Sequence, residues 1–273
     1  MNFTEILYNI QKSVSPFYFS ETAALFNNDC LEILSLVPEN SIDMIFADPP
    51  YLLSNNGMTC QNGKMVPVNK GEWDKSSGFD NDAAFHNKWI AACRHALKPE
   101  GTIWVSGTYH NIYQCGFLLQ KNDFHILNDI VWFKPNASPN LSCRFFTASH
   151  ETLLWAKKEK SAKHTFNYRA MKDGNFPYDK LKKENTQMRS VWSVPPPKSA
   201  EKKFGKHPTQ KPLDLLLRIV AASTKDGSII LDPFSGSGTS GLAAILTGNR
   251  HYLGIEIEKD FCEIARERII SGS

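Results

Sequence analysis

The chain has 273 residues and a mass of 30.8 kDa, with 41% apolar and 22% charged residues. That is enough apolar material for one large α/β domain, or one domain with an insertion, and too much for global disorder. Net charge is +3, no apolar run approaches the ~18 residues of a membrane span, and the six cysteines (Cys30, Cys60, Cys93, Cys115, Cys143, Cys262) contain no Cys-x-x-Cys pair. The opening Met1-Asn-Phe-Thr-Glu-Ile6 has neither the basic nor the apolar stretch of a secretory signal. A secreted protein, a membrane-spanning one and a small zinc module are therefore disfavoured, and a reducing cytoplasm fits, with the cysteines as inert thiols.

Residues 1–22 are mixed and suit a cap or tether. Ala23–Phe26 reads as a strand, 27–30 as a turn and Leu31–Leu36 as a helix. Ser41–Ala47 is a strongly apolar strand that runs into Asp48-Pro49-Pro50-Tyr51. Residues 52–82, rich in Asn, Gly, Ser and Lys, read as a long mobile loop. Ala83–Leu97 has helical spacing, with Phe85, Trp89, Ile90 and Cys93 on one side. Lys98–Gly101 is a turn, Thr102–Ser106 a strand, Tyr113–Gln120 a helix, and Phe124–Phe133 and Glu151–Ala156 two more strands. Pro212–Ser223 is a helix, Ser228–Leu231 a strand, Gly238–Thr247 a helix, His251–Glu256 a strand and Lys259–Ile270 the last helix. Alternation of this kind predicts a mostly parallel sheet with helices on both faces.

The charge is unevenly spread. Lys157 to Lys211 carry 15 Lys or Arg against 5 Asp or Glu, whereas the rest of the chain carries 16 against 23. The basic block also holds Phe166, Tyr168, Phe176, Tyr178, Trp192 and Phe204. Cations among aromatics suit nucleic acid, where ammonium and guanidinium groups meet phosphate and rings stack on exposed bases. A solvated stretch of ordinary surface lysines has the same composition.

Leu231-Asp-Pro-Phe-Ser-Gly-Ser-Gly-Thr239 is the clearest local signal. An apolar strand enters a loop whose glycines open a helix, and Gly236, Gly238 and Gly241 fit G-x-G-x-x-G. Glycine there permits a tight turn and close approach of a ligand to backbone N–H groups. Glu256 ends the next strand, where a carboxylate accepts from both ribose hydroxyls of a nucleoside. A dinucleotide fits less well, because the strand ends in Asp232 and a diphosphate would repel it. A cationic amino-acid moiety would be attracted, and S-adenosylmethionine carries both that cation and an adenosine.

Asp48-Pro49-Pro50-Tyr51 is the second signal. The prolines fix φ and aim their carbonyls, Asp48 is an acceptor and Tyr51 offers a flat face. An exocyclic amine on a base is a poor nucleophile, because its lone pair is delocalised into the ring. Two acceptors on its two N–H groups favour a more tetrahedral nitrogen, and an aromatic face holds a base that has left the stack.

The two signals together resemble the circularly permuted β group of N6-adenine DNA methyltransferases. In that group Asp-Pro-Pro-Tyr precedes a target-recognition region, which precedes a Phe-x-Gly-x-Gly cofactor loop. Here the order is Asp48-Pro-Pro-Tyr51, the basic block, His207-Pro-Thr-Gln-Lys-Pro212 and Phe234-Ser-Gly-Ser-Gly238, a likeness over about residues 23–270. The resemblance implies a Rossmann-like S-adenosylmethionine-dependent methyltransferase fold. It also implies a catalytic half at 1–156 (mobile loop about 52–82), a basic target-recognition region at 157–206 and a cofactor half at 207–273.

It further implies that Asp48 and the Pro49 carbonyl bind the target amine beside Pro50, with Tyr51 on the flipped base. Phe234, Ser235, Gly236, Ser237, Gly238 and Thr239 wrap the cofactor, Asp232 and Lys211 lie near its methionyl part, Glu256 holds the ribose, and Asp29 with Cys30 lies near the adenine. By itself Asp29 reads equally as a helix N-cap, and Lys211 as one more lysine of the basic block. His150-Glu151 matches an element near the target base. His207 is either structural or a catalytic base. The loop 52–82, with Lys64, Lys70, Trp73 and Lys75, has the composition of a lid over DNA.

The expected reaction is in-line transfer of the sulfonium methyl to adenine N6, with no metal and no covalent enzyme intermediate. An N4-cytosine enzyme of the same fold is the nearest rival, and it usually has Ser where this chain has Asp48. RNA or protein amine methylation, nicotinamide-linked oxidoreduction and non-catalytic DNA binding are the others. Phe46-Ala-Asp-Pro-Pro-Tyr51 and Asn140-Leu-Ser-Cys-Arg-Phe-Phe146 resemble methylases of restriction–modification systems acting at GATC. The implied partners are DNA, a second copy of the chain and a cognate restriction endonuclease, with no membrane.

Overall fold

The computed structural model describes residues 1–52, 54, 58–61, 64–67, 70–137, 139–176, 179, 183 and 186–272. It opens with a helix in the segment that looks mixed as sequence, α1 (Phe3–Gln11). Asn2 Oδ1 accepts from the Glu5 N–H at 2.9 Å and Glu5 Oε2 from the Asn2 N–H at 3.0 Å, a capping box. Phe3, Ile6, Leu7 and Ile10 form the buried stripe of this helix.

An edge strand β1 (Tyr18–Phe19) is followed by β2 (Ala23–Asn27), α2 (Cys30–Leu36) and β3 (Ile42–Ala47). Within 52–82, expected to be loop throughout, lie a hairpin, β4 (Met58–Gln61) and β5 (Lys64–Pro67), and a 3-10 turn at Glu72–Asp74. The hairpin is a sheet of its own, and two short strands leave little period in a sequence. Next come α3 (Phe79–Ala96), β6 (Leu97–Gly107), α4 (Ile112–Lys121), β7 (His125–Phe133) and β8 (His150–Lys157). The turn expected at Lys98–Gly101 is a bulge inside β6: pairing with β3 passes from Ile42↔Leu97 to Met44↔Thr102. The chain ends with α5 (Tyr168–Asp173), β9 (Val191–Ser193), α6 (Leu213–Ser223), β10 (Ile229–Asp232), α7 (Thr239–Thr247), β11 (His251–Glu256) and α8 (Lys259–Ile270).

The nine-stranded sheet has the order β1-β2-β11-β10-β3-β6-β8-β7-β9. Strands β2, β11, β10, β3 and β6 are parallel neighbours, and β8 is antiparallel to both β6 and β7. Alternate residues feed two cores. Ile45, Ile103, Leu231 and Leu253 meet Ile33, Trp89 and Ile90 on one face. Met44, Trp104, Ile230 and Tyr252 meet Leu216, Ile219 and Ala244 on the other. Burial on both faces explains the unbroken apolar runs of β3 and β10.

Strand β10 lies beside β3 with Ile230 opposite Met44 and Leu231 opposite Ile45. Connections leave this pair in opposite directions, β3 toward β6 and β10 toward β11. Their carboxyl ends therefore flank a topological switch point, where open α/β sheets bind ligands.

The basic block is joined to this sheet rather than separate from it. Strand β9 pairs with β7, and Trp192 is buried beside Trp104 in the second core. Arg218 of α6 meets Asp179 at 2.8 Å, both buried, and lies 4.2 Å over the Trp192 ring. Trp192 is thus not a surface for stacking bases, because its indole is spent on the core. Phe166 and Tyr168 are partly exposed; Tyr178 lies outside the described residues. Among the described residues no helix is long and apolar enough to cross a membrane.

Candidate active site

An open cleft lies above the carboxyl ends of β10 and β3. Asp29, Cys30, Asp48, Pro50, Lys211, Asp232, Phe234, Ser235, Gly236, Ser237, Thr239 and Glu256 all line it. Residues from both ends of the chain thus converge on one cavity. Of the cofactor residues expected from the sequence, Gly238 alone stands off the wall. It takes φ +69, and a Cβ there would meet Ala265 Cβ of α8 at 2.8 Å, so its glycine serves the packing of α7 on α8.

The glycine loop is held from below. Gly236 takes φ +52 and its N–H donates to Glu256 Oε2 at 2.7 Å, while the Glu258 N–H donates to Oε1 at 2.8 Å. Burial raises the Glu256 carboxyl above its usual range. Arg268, buried in the last helix, donates to the Ser237 carbonyl and hydroxyl, each at 2.9 Å, and to Thr239 Oγ1 at 2.7 Å. Thr239 in turn donates to the Lys211 carbonyl at 3.2 Å, joining the loop to the 207–212 segment. Arg268 was not visible in the sequence, where it is one charge among several on an amphipathic helix.

Asp232 accepts from the Phe234 N–H at 2.9 Å and from the Ser240 hydroxyl. Burial pushes its carboxyl up to about 7, only partly offset by these two bonds. A buried acid short of positive charge, on the wall of an aromatic-lined cleft, suits a cationic ligand. Phe46, Trp73, Phe85 and Phe261 supply apolar walls. Asp29 accepts from the N–H groups of Leu31 at 2.8 Å and Glu32 at 3.3 Å, so it is a helix N-cap and a cleft residue at once. The Cys30 thiol is pushed up to about 12 by burial and is inert. Together an acid for a cation, apolar walls for a purine and Glu256 for a ribose fit S-adenosylmethionine.

At the β3 end the side chains form a polar knot. The Tyr51 hydroxyl lies 2.8 Å from Asp48 Oδ1, 2.9 Å from Glu151 Oε2 and 3.0 Å from Ser106 Oγ. Lys211 pairs with Asp48 and lies 3.9 Å from Glu151, and Lys134 pairs with Glu151. Burial alone would depress Lys211, yet Asp48 and Glu151 outweigh it and hold the ammonium above its usual range. Burial likewise raises Glu151, but Lys211 and Lys134 bring it below the usual carboxylate value. For Asp48 burial dominates and the carboxyl sits high, with Lys211 opposing. Two carboxyls, Asp48 and Glu151, thus face two ammonium groups, Lys211 and Lys134.

Asp48 accepts from Tyr51 and Lys211 and keeps lone pairs for a further donor. Asn111 donates to the Pro50 carbonyl at 3.4 Å; among the described residues none donates to the Pro49 carbonyl. Tyr51 is itself buried, with the Lys70 ammonium 5.6 Å from its ring centre. Asp74, fully buried, accepts from the N–H groups of Tyr51 at 3.0 Å and Leu52 at 2.9 Å and from the Ser54 hydroxyl at 2.8 Å. It fixes the turn after the prolines, where Leu52 takes φ +60. Neighbouring Trp73 reaches the other way and stacks on His207, ring centres 6.2 Å apart. The segment expected as a lid over DNA thus also closes one side of the cleft.

His207 packs edge-on against Phe261 at 4.2 Å, and a Cβ on Gly236 would meet its Nε2 at 3.2 Å. Burial, with Lys211 and Arg268 nearby, pulls its imidazole down to about 3. An imidazole so weakly basic takes no proton at neutral pH, so His207 is wall rather than catalytic base.

A DNA methylase family profile matches residues 42–267. The chain is 47% identical over 274 residues to the type II methyltransferase M2.LlaDCHI of Lactococcus lactis subsp. cremoris, covering 100% of this chain and 98% of that protein. It is similar to the crystal structure of an M1.HpyAVI–SAM complex, with TM-score 0.66, 28% identity and coverage of 90% and 98% of the two chains. It is similar in fold to the PvuII DNA methyltransferase (cytosine-N4-specific), with TM-score 0.72, 19% identity and coverage of 94% and 89%.

Proposed function

The chain belongs to the DNA methylase family and is an S-adenosylmethionine-dependent DNA methyltransferase, and from that premise we propose that it methylates N6 of a flipped-out adenine. The observation that carries this reading is the place of Asp48, which lines the cofactor cleft and also belongs to the knot behind the two prolines. One carboxylate thus borders both the methyl donor and the amine.

S-adenosylmethionine, when bound, supplies a methyl group already activated by its sulfonium. Asp232 and the neighbouring glycine loop hold its cationic end, Glu256 the ribose, and Asp29 with Phe234 the adenine side. Asp48 and the Pro49 carbonyl accept the two N–H groups of the target amine and turn its lone pair toward the methyl. Position and electrostatics supply the rate. Lys211 opposes the burial that disfavours the Asp48 carboxylate, and Glu151 joins them through Tyr51. A base stacking on Tyr51 takes the place of the Lys70 ammonium. The amine proton leaves after transfer, so no strong general base is needed.

Residues 157–206 grip phosphate and contribute base readout, so binding weakens steeply with salt. The enzyme acts in the cytoplasm within a restriction–modification system, at GATC sites, as a homodimer whose cognate endonuclease shares the site. These finer statements rest on the motif resemblance and on the type II relative.

The test is transfer of labelled methyl to unmethylated DNA followed by nucleoside analysis, with Asp48→Ala in parallel. N6-methyladenine from wild type, lost in the variant while cofactor still binds, is the expected result. N4-methylcytosine would overturn the base assignment and keep the fold.

A further inference from the structure

Sixteen residues, 134–149, join β7 to β8 at the same end of the sheet as Asp48, since Phe133 pairs with His150 and Thr152 with Gly107. One step beyond His150 is Glu151, bonded to Tyr51. The tip of this loop is shaped by a single side chain. Asn140 Oδ1 accepts from the Ser142 N–H at 3.0 Å and hydroxyl at 2.7 Å, and its Nδ2 donates to the Phe145 carbonyl at 2.6 Å. The Asn140 N–H donates to Thr147 Oγ1 at 3.3 Å, and Cys143 takes φ +54 to complete the turn. Polar bonds therefore hold the tip in shape without apolar packing.

What the tip presents is unusual for a surface. Phe146 is 98% exposed and Phe145 67% exposed, with exposed Arg144 beside them. Exposed apolar groups of this size on a pre-shaped loop point to a partner. Four residues separate Phe146 from Glu151, so their Cα atoms lie no more than about 18 Å apart. The partner that must approach this edge is DNA. Phenylalanine has no group with which to read a base edge or bind phosphate; what it offers a duplex is a flat apolar ring that fits between base pairs.

We propose that Phe146 is a wedge that enters the base stack beside the target and fills space left when the target base turns out, while Arg144 holds the adjoining phosphate. The proposal rests on the DNA-methylation reading above and leaves open which base is methylated. It deepens that reading by assigning the duplex-opening step to a loop outside the cleft.

The experiment compares wild type with Phe146→Ala and Phe146→Trp on two duplexes that carry the mapped site. In one the target base is paired; in the other it faces a mismatch and is already loosened. With labelled methyl as readout, Phe146→Ala is expected to lose about 10- to 100-fold in kcat/KM on the paired duplex and to recover to within about threefold of wild type on the mismatched one. Phe146→Trp retains activity on both. On paired DNA with 2-aminopurine at the target, the fluorescence rise on binding is expected to vanish in Phe146→Ala. An equal loss on both duplexes, or no loss on paired DNA, would overturn the proposal. Failure of the adenine assignment is read separately, from the nucleoside that wild type methylates.

Discussion

The two walls of the cleft are built in different ways. On the cofactor side, strand β10, its glycine loop and β11 lie within 28 residues, and the anchors of the loop are mostly local: Gly236 to Glu256, Phe234 to Asp232. On the target side the anchors are distant in sequence. Lys211 and Asp48 are 163 residues apart, and Glu151 and Tyr51 are 100 apart. The core of the first wall, the glycine loop with Asp232 and Glu256, comes from one continuous segment, although Asp29 and Cys30 complete its rim. The second exists only when four segments have docked, and its charges balance only as a group.

That difference can be broken most severely at Lys211. Replacement by Met leaves Asp48 and Glu151 buried without their shared cation, an expected loss of about 3–5 kcal/mol in urea unfolding. Methyl transfer should fall by about 1000-fold in the same variant, as expected when an electrostatic anchor of the reacting site goes. A cofactor-side substitution such as Gly236→Ala should cost less, about 1–2 kcal/mol for an alanine held at φ +52, and should weaken S-adenosylmethionine binding in calorimetry, because its Cβ would press on His207 and not on the core.

Asp74→Asn sharpens the contrast. The amide keeps the shape but loses charge at three donors, so kcat should drop about 10-fold. Cofactor affinity should hold, since Asp74 faces the proline turn and not the cleft. Equal losses in kcat and affinity would show that the Trp73–Asp74 segment serves both walls through one motion.

The pH response isolates the cofactor wall. Asp232 is held up to about 7 by burial. A raised carboxyl means that the folded chain keeps a proton the unfolded chain has lost, so ionisation above pH 7 costs stability and protonation below it restores that stability. Cation binding favours the ionised form, so S-adenosylmethionine affinity should fall as pH drops below 7, approaching about 10-fold per pH unit. Thermal stability of the ligand-free protein should rise over the same interval, as pH falls from 7 toward 4. Opposite slopes are the expected signature, and Asp232→Asn should flatten both.

The smallest expected effect lies away from both walls. Asn2→Ala removes one half of the capping box of α1 and should cost about 1 kcal/mol in denaturant unfolding, with no change in methyl transfer.

How much of this was legible in the sequence follows the same division. Strands β3, β10 and β11 show as apolar runs because both faces are buried, and the loop from Asp232 to Thr239 shows because glycine is required where φ is positive. The asparagine and glutamate that cap α1 are in the sequence too, but one capping pair in a segment of mixed composition does not by itself mark a helix. Trp192 was misplaced because aromatic composition does not tell a core indole from a surface one; only its pairing through β9 does. Arg268 and Asp74 left no trace, since their partners lie 31 and 23 residues away and a lone charge in a helix or loop usually faces water. Lys211 and Glu151 were found through motif resemblance, not through any property of their neighbourhoods in the chain.

The order of strands carries one more consequence. Strands β10 and β11 lie inside the sheet, between β3 and β2, yet they follow every other described strand in the chain and so leave the ribosome after them. Until they emerge, β2 and β3 have no partner on their facing edges, and the nascent chain carries an unfilled slot where its centre belongs. The contacts that close it span more than 180 residues, which makes folding slow and late. A product that stops before β10 therefore lacks the methyl-donor pocket altogether, and activity arises only once β11 has been made.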